Sequence, residues 1–143
     1  MMSRAQILLL QLSVVVMTLT GVVFALMKYW MKYWMKAADE FAVINHPLQP
    51  WMLAGHVVLA PMAVFAIGWA FGPHIWPGIQ KRTAPKRASG LWTVMTIAPM
   101  ILSGYLLQVT TGEAIRHAMA IAHWISSGFF VAAYLVHYVT PKR

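Results

Sequence analysis

Four long apolar stretches restrict the fold of this chain more than any other feature of its sequence. They cover about residues 7–27, 51–72, 90–110 and 118–139. Each is close in length to the run of about 20 residues that a helix needs to cross the hydrocarbon core of a bilayer. A helix also satisfies its own backbone hydrogen bonds, which lipid cannot do. We therefore predict an all-α protein, a four-transmembrane-helix bundle that forms a single integral membrane domain over residues 1–143.

Composition excludes several classes of protein. Of the 143 residues, 60% are hydrophobic and 10% are charged, whereas a soluble domain has about 25% charged residues. The chain contains no cysteine, which excludes thiolate zinc sites and cysteine-held iron–sulfur clusters. It also excludes covalently attached c-type haem, which requires a C-x-x-C-H motif. Any haem must therefore be held non-covalently, by histidine or methionine.

The distribution of basic residues predicts the orientation of the four spans. The formal net charge is +8, and the cytoplasmic loops of membrane proteins are enriched in lysine and arginine. We therefore predict both termini in the cytoplasm (N-in/C-in) of a multi-pass protein of the bacterial inner membrane. The charge then serves topology and contact with anionic lipid, and not binding of nucleic acid. The basic residues on the predicted cytoplasmic side are Arg4, Lys81, Arg82, Lys86, Arg87, Lys142 and Arg143.

The spacing of four histidines within the spans predicts two ligand pairs. His56 and His74 are eighteen positions apart at the second span, and His123 and His137 are fourteen positions apart in the fourth. At about 100° per residue, the first spacing returns to the same helix face and the second comes within about 40° of it. Since spans two and four run in the same direction, His56 pairs by depth with His123 near the outer surface. His74 pairs with His137 near the inner surface, although the two separations differ, at about 27 Å and about 21 Å.

Paired imidazoles inside a membrane indicate iron porphyrin. Two imidazoles fill both axial positions of a haem iron, which makes the group an electron carrier. We predict two b-type haems with bis-histidine ligation, and Arg116 as a contact of the anionic haem propionates. Glycines let a porphyrin approach a helix backbone, and the candidates are Gly55, Gly68, Gly104 and Gly128. The alternative for each histidine is an interhelical hydrogen bond.

Four further features leave alternatives open. His46 lies in a loop outside the spans and is either a solvated side chain or a residue near the outer haem, as an alternative ligand, a propionate contact or a quinol-proton acceptor. Either His74 or His46 completes the second haem. His117 is either a surface residue or a neighbour of a propionate. Glu113 is either a solvated carboxylate or the acid–base group of a quinol site. The repeat at residues 27–36 (MKYWMKYWMK) is either an interfacial anchor or a docking surface for a partner subunit.

The chain resembles the di-haem cytochromes b of membranes, a superfamily that includes the bacterial cytochrome b561 type and the haem subunits of formate dehydrogenases and hydrogenases. The resemblance implies a four-helix bundle, two haems that bridge helices, and quinol as the membrane redox partner. The chain departs from the family in one respect, because many members have one ligand on the first span, where this chain has no histidine. The fourth ligand must then come from elsewhere, and His74 is the only inner candidate. The residues that carry the resemblance are His123-Trp124-Ile125-Ser126-Ser127-Gly128 with His137, Ser103-Gly104-Tyr105-Leu106-Leu107, and Gly55-His56 with Pro61 and Gly68.

The predicted function is transmembrane electron transfer between membrane quinone or quinol and a periplasmic redox partner. The partner is a cytochrome c or a catalytic subunit, and the chain is an electron-transfer subunit, a component of a quinol:cytochrome-type oxidoreductase. We expect it to work in a complex or as a homo-oligomer. One alternative is a haem-free membrane anchor or assembly subunit of a redox complex. A small transporter is the other, although no span contains the acidic residue that proton coupling ordinarily uses.

Overall fold

The computed structural model describes residues 2–34 and 46–141, except for the side chains of residues 30–34. This part of the chain is helical and contains no strands. Four of its helical stretches are long and apolar enough to cross a membrane, which confirms the all-α prediction with four candidate spans. Their orientation stays a prediction. The elements are α1 (Arg4–Trp34), α2 (Gln49–Ala70), a π-helical segment (Phe71–Ile75), α3 (Trp76–Gln80), α4 (Arg87–Val109) and α5 (Glu113–Val139).

The second span differs most from its predicted bounds. The sequence places its end at residue 72, before Pro73, but the chain stays helical to Gln80. Proline lacks the amide hydrogen and clashes with the carbonyl four residues earlier in an α-helix. Here Pro73 lies in the π-helical segment, whose wider turn differs from that of an α-helix. Because Pro73 lacks an N–H, it cannot donate to the carbonyl of Trp69, four residues earlier. That carbonyl instead accepts a hydrogen bond from Gln6 Nε2 at 3.1 Å.

The chain divides into two compact units, and the first comprises residues 1–70. In this unit α1 and α2 form a helical hairpin. The buried residues of the pair are mostly small, among them Ala25, Ala66 and Ala70. Small residues let helices approach closely in lipid, where the hydrophobic effect does not drive helix association. Large apolar side chains such as Val58, which is 74% exposed, point outwards, as is typical of a lipid-facing surface.

The second unit comprises residues 71–143, and its main element is the hairpin of α4 and α5. The hairpin is closed at both ends by basic side chains that donate to the last carbonyls of a helix. Arg116 Nη1 donates to the carbonyls of Leu107 and Thr110, both at 3.1 Å. At the other end, Lys86 Nζ donates to the His137 carbonyl at 2.9 Å. Cationic groups are favourable at helix C-termini, where carbonyls lack intrahelical donors.

Several sequence predictions lie outside the described residues. The aromatic and lysine repeat is described only at its start, where the Lys28 and Tyr29 side chains are exposed. The side chains of 30–34 and all of residues 35–45 are not described, and the anchor and the docking surface both stay predictions. The single membrane domain over residues 1–143 likewise stays a prediction.

Candidate cofactor site

His123 is held on α5 by two acceptors from α4. Its Nδ1 lies 3.0 Å from the Met100 carbonyl oxygen and 3.3 Å from Ser103 Oγ. A carbonyl oxygen only accepts, so this nitrogen carries the ring proton and donates it. The Ser103 hydroxyl gives its own proton to the Pro99 carbonyl at 2.6 Å. The hydrogen-bond network therefore assigns the Nδ1–H tautomer and leaves a lone pair on Nε2.

His137 repeats this arrangement on the same pair of helices. Its Nδ1 lies 3.2 Å from Ser89 Oγ. The Ser89 hydroxyl donates to the Lys86 carbonyl at 3.0 Å, so its oxygen is the acceptor for the ring. The proton again belongs on Nδ1, and Nε2 is the basic nitrogen.

His56 repeats the arrangement in the first unit. Its Nδ1 lies 2.9 Å from Thr20 Oγ1. The threonine hydroxyl donates to the carbonyls of Val16 at 2.8 Å and Met17 at 3.2 Å. On three imidazoles of two helices, the same nitrogen, Nδ1, thus lies within hydrogen-bond distance of a hydroxyl on the neighbouring helix, and the hydrogen-bond network assigns the same tautomer to all three.

A glycine follows each of these hydroxyl residues and gives room for the ring. A Cβ built on Gly104 would lie 3.0 Å from His123 Cε1. The corresponding distance is 3.2 Å for Gly90 to His137 and for Gly21 to His56. Carbon atoms pack best at about 3.5–4.0 Å, so the ring occupies space that any other residue would need. We call the dipeptides Thr20–Gly21, Ser89–Gly90 and Ser103–Gly104 the hydroxyl–glycine pairs.

The contact between a hydroxyl–glycine pair and a histidine occurs twice in the second hairpin, at the same spacing on both helices. Ser89–Gly90 and Ser103–Gly104 are fourteen positions apart on α4, and the same interval separates the histidines that they hold on α5. At about 1.5 Å per residue, the two hydroxyl–histidine contacts are separated by about 21 Å along the hairpin. His137 therefore lies close to the C-terminal end of α5, whereas His123 lies about one turn from its midpoint.

His74 is positioned differently from the other three. It lies in the π-helical segment and its side chain is exposed. Its ring meets the ring of His137 edge-on, with the ring centres 6.0 Å apart and the planes at 68°. Within residues 2–34 and 46–141, its ring has no hydrogen bond. The two histidines of α5 are fourteen residues apart. The same interval counted from His56 ends at Ala70, which is completely buried. His74 is about one helical turn further on.

The structure separates His46 from this group. The Leu48 amide donates to His46 Nδ1 at 3.1 Å, just before α2 begins. Nδ1 is the acceptor here, so the neutral ring carries its proton on Nε2. This tautomer is the opposite of the one in His56, His123 and His137. The ring of His46 accepts a hydrogen bond just before the start of α2. His117 and Glu113 are both exposed in the first turns of α5.

The other predicted binding residues have these surroundings. Arg116 is exposed, and its Nη1 is occupied by the end of α4. A Cβ added to Gly55, Gly68 or Gly128 would meet no atom within 4 Å, so contact of these glycines with a porphyrin stays a prediction. Gly104 contacts the imidazole of His123, which is a different role from the predicted approach of a porphyrin.

Sequence reasoning missed the function of the hydroxyl–glycine pairs. Thr20–Gly21 and Ser89–Gly90 carry no motif of their own, and Ser103–Gly104 enters the sequence analysis only through the family resemblance and through Gly104 as a glycine that a porphyrin could approach. A usable signal exists in the spacing, because the two pairs on the third span repeat the interval between the histidines of the fourth.

Comparison of the chain with protein-family models, with curated proteins and with solved structures finds no match. The function must therefore be argued from the residues of the site itself.

Proposed function

We propose that this protein is a membrane electron carrier that holds two b-type haems through His56, His74, His123 and His137. The observation that carries the proposal is the shared tautomer of three of these rings. A histidine that ligates iron uses a neutral imidazole, and its other nitrogen ordinarily donates to a nearby acceptor. His56, His123 and His137 each donate from Nδ1 and retain the lone pair of Nε2.

The second unit offers a test of fit for one haem. A metal–imidazole bond is about 2 Å long, so two imidazoles on opposite sides of one ion have ring centres about 6 Å apart. The ring centres of His74 and His137 are 6.0 Å apart. This separation supports His74 and His137 as the two residues that would hold one haem. The proposed partnership of His56 with His123 for the other haem rests on the sequence.

A bound haem supplies one-electron chemistry, and the residues of the chain set its conditions. The hydroxyl–glycine pairs orient three rings, and the hydrogen bond at Nδ1 makes Nε2 a stronger donor to a metal. Lys86 fixes the backbone carbonyl of His137, which holds this ligand near the end of α5. Arg116 and Lys86 are the cations proposed to attract the anionic propionates, since each has N–H groups beyond those that donate to helix carbonyls.

The proposed partners are lipid, membrane quinone or quinol, and a periplasmic cytochrome c or catalytic subunit. The basic connection between α3 and α4 supports an N-in/C-in orientation in a bacterial inner membrane. In that orientation the His74–His137 end faces the cytoplasm and His123 lies towards the periplasm. Electrons would then cross the membrane between the two ends, with the chain as one component of an oxidoreductase complex or homo-oligomer.

The proposal is tested by counting haems in single-histidine variants. We expect the purified protein to contain two haems b per chain and to be reduced by a soluble quinol. His123→Ala and His137→Ala should each remove one haem. His46→Ala is the matched control and should retain both, because its Nδ1 serves the start of α2. A colourless wild-type protein would favour the haem-free anchor.

A further inference from the structure

We propose that His74 is the exchangeable ligand of the His74–His137 pair, so that a small neutral diatomic molecule such as carbon monoxide takes its place on the ferrous haem. This inference rests on the proposed function, because it concerns the haem that these two rings hold. It adds a binding site for a class of ligand that a haem with two firmly held imidazoles excludes.

His137 is held at both its ring and its backbone. Its Nδ1 lies 3.2 Å from Ser89 Oγ, and its Cε1 lies 3.2 Å from the position of a Cβ on Gly90. Its carbonyl accepts from Lys86 Nζ at 2.9 Å. The hydrogen bond to Ser89 restricts rotation of the ring, and the Lys86 contact ties the backbone of His137 to the residue just before α4.

His74 has fewer constraints within the same unit. It is exposed and lies in a π-helical segment, a form of helix that occurs mostly as a single turn and often at functional sites. Among residues 2–34 and 46–141 its ring makes the edge contact with His137 and no hydrogen bond. Loss of the hydrogen bond that orients a ligating histidine typically weakens metal binding about 10- to 100-fold. His74 therefore binds iron more weakly than His137 and is the ligand that leaves.

The exchange is balanced without a change of oxidation state. The bond between iron and His74 Nε2 breaks, and the lone pair returns to the imidazole. A bond between iron and the carbon of carbon monoxide forms from the lone pair of that carbon. Both ligands are neutral two-electron donors, so no electron, proton or further reactant is needed. The released ring is exposed, so a hydrogen bond to water or a lipid headgroup can compensate for the lost bond.

The test is a titration of the reduced, detergent-solubilised full chain with carbon monoxide, followed by absorbance in the Soret region. Haem is counted separately, as the pyridine haemochrome. We expect about half of the haem to bind carbon monoxide, as shown by the Soret change, at carbon monoxide concentrations about 10- to 100-fold lower than those that the other half requires. His74→Ala should bind carbon monoxide at the same half with higher affinity. The buried Ser126→Ala should titrate like the wild type.

Three results would overturn the inference while leaving the proposed function intact. The first is a protein with two haems that binds no carbon monoxide. The second is equal binding at both haems, and the third is wild-type affinity in His74→Ala. A protein without haem would overturn the inference together with the proposed function, and the haem count distinguishes this case.

Discussion

The substitution Gly104→Ala tests the close approach of a helix to an iron ligand. The new Cβ would lie 3.0 Å from Cε1 and 3.2 Å from Nδ1 of His123. Carbon atoms pack at about 3.5–4.0 Å, so the ring must retreat by about 0.5 Å or more. Such a movement lengthens the 3.0 Å hydrogen bond from Nδ1 to the Met100 carbonyl to the limit of a useful distance. We expect overpacking to cost about 1–3 kcal/mol of folding free energy and the disturbed ligand to bind iron about 10- to 100-fold more weakly.

The matched control is Gly78→Ala in α3, where an added Cβ meets no atom within 4 Å. Alanine is favoured over glycine within a helix by about 0.5–1 kcal/mol, so the control should be at least as stable as the wild type. The assay compares haem content and thermal unfolding of the two variants in one detergent. Gly104→Ala should retain about one haem per chain and unfold at a lower temperature. Equal haem content and equal stability in both variants would refute the reasoning.

Three further variants test other contacts. Ser103→Ala should raise the reduction potential of one haem modestly, because His123 becomes a weaker donor to iron while the Met100 carbonyl remains an acceptor. A redox titration beside Ser126→Ala checks this, and equal potentials in the two variants would contradict it. Lys86 has a left-handed backbone with φ of 61°, which costs about 1–2 kcal/mol for a non-glycine residue. Lys86→Gly should therefore melt above Lys86→Ala, although both lose the hydrogen bond to the α5 carbonyls, and equal melting temperatures would contradict this. Gly128→Ala should fold normally and yet contain less haem if a porphyrin approaches α5 there; undiminished haem would remove this glycine from the site.

Much of the fold could be predicted because membrane helices are determined by length and hydropathy. The fourth span shows this, since its predicted bounds of 118–139 fall within α5 at Glu113–Val139. The second span shows the limit of the method. Pro73 ordinarily indicates the end of a helix, but a π-helical segment accommodates it. No sequence periodicity predicts such a π-helical turn, because its formation depends on how the neighbouring parts of the protein pack against it.

The candidate site was only partly predictable. Helical periodicity places His123 and His137 on one face of α5, because this is a property of a single helix. The tautomer of each ring cannot be predicted in this way, because it depends on a hydrogen-bond partner in the neighbouring helix. Ser103 and Ser89 acquire their role only when the antiparallel register of the hairpin is known. The hydrogen bond from the Leu48 amide to His46 Nδ1 is likewise a contact that no sequence pattern predicts.

The central claim is that these imidazoles bind haem iron through Nε2. Its most direct test is the reduced-minus-oxidised absorption spectrum of the purified chain, scaled to protein concentration. The account predicts a sharp α band of haem b with a stoichiometry of two per chain. A protein that remains colourless after expression with ample haem would contradict it.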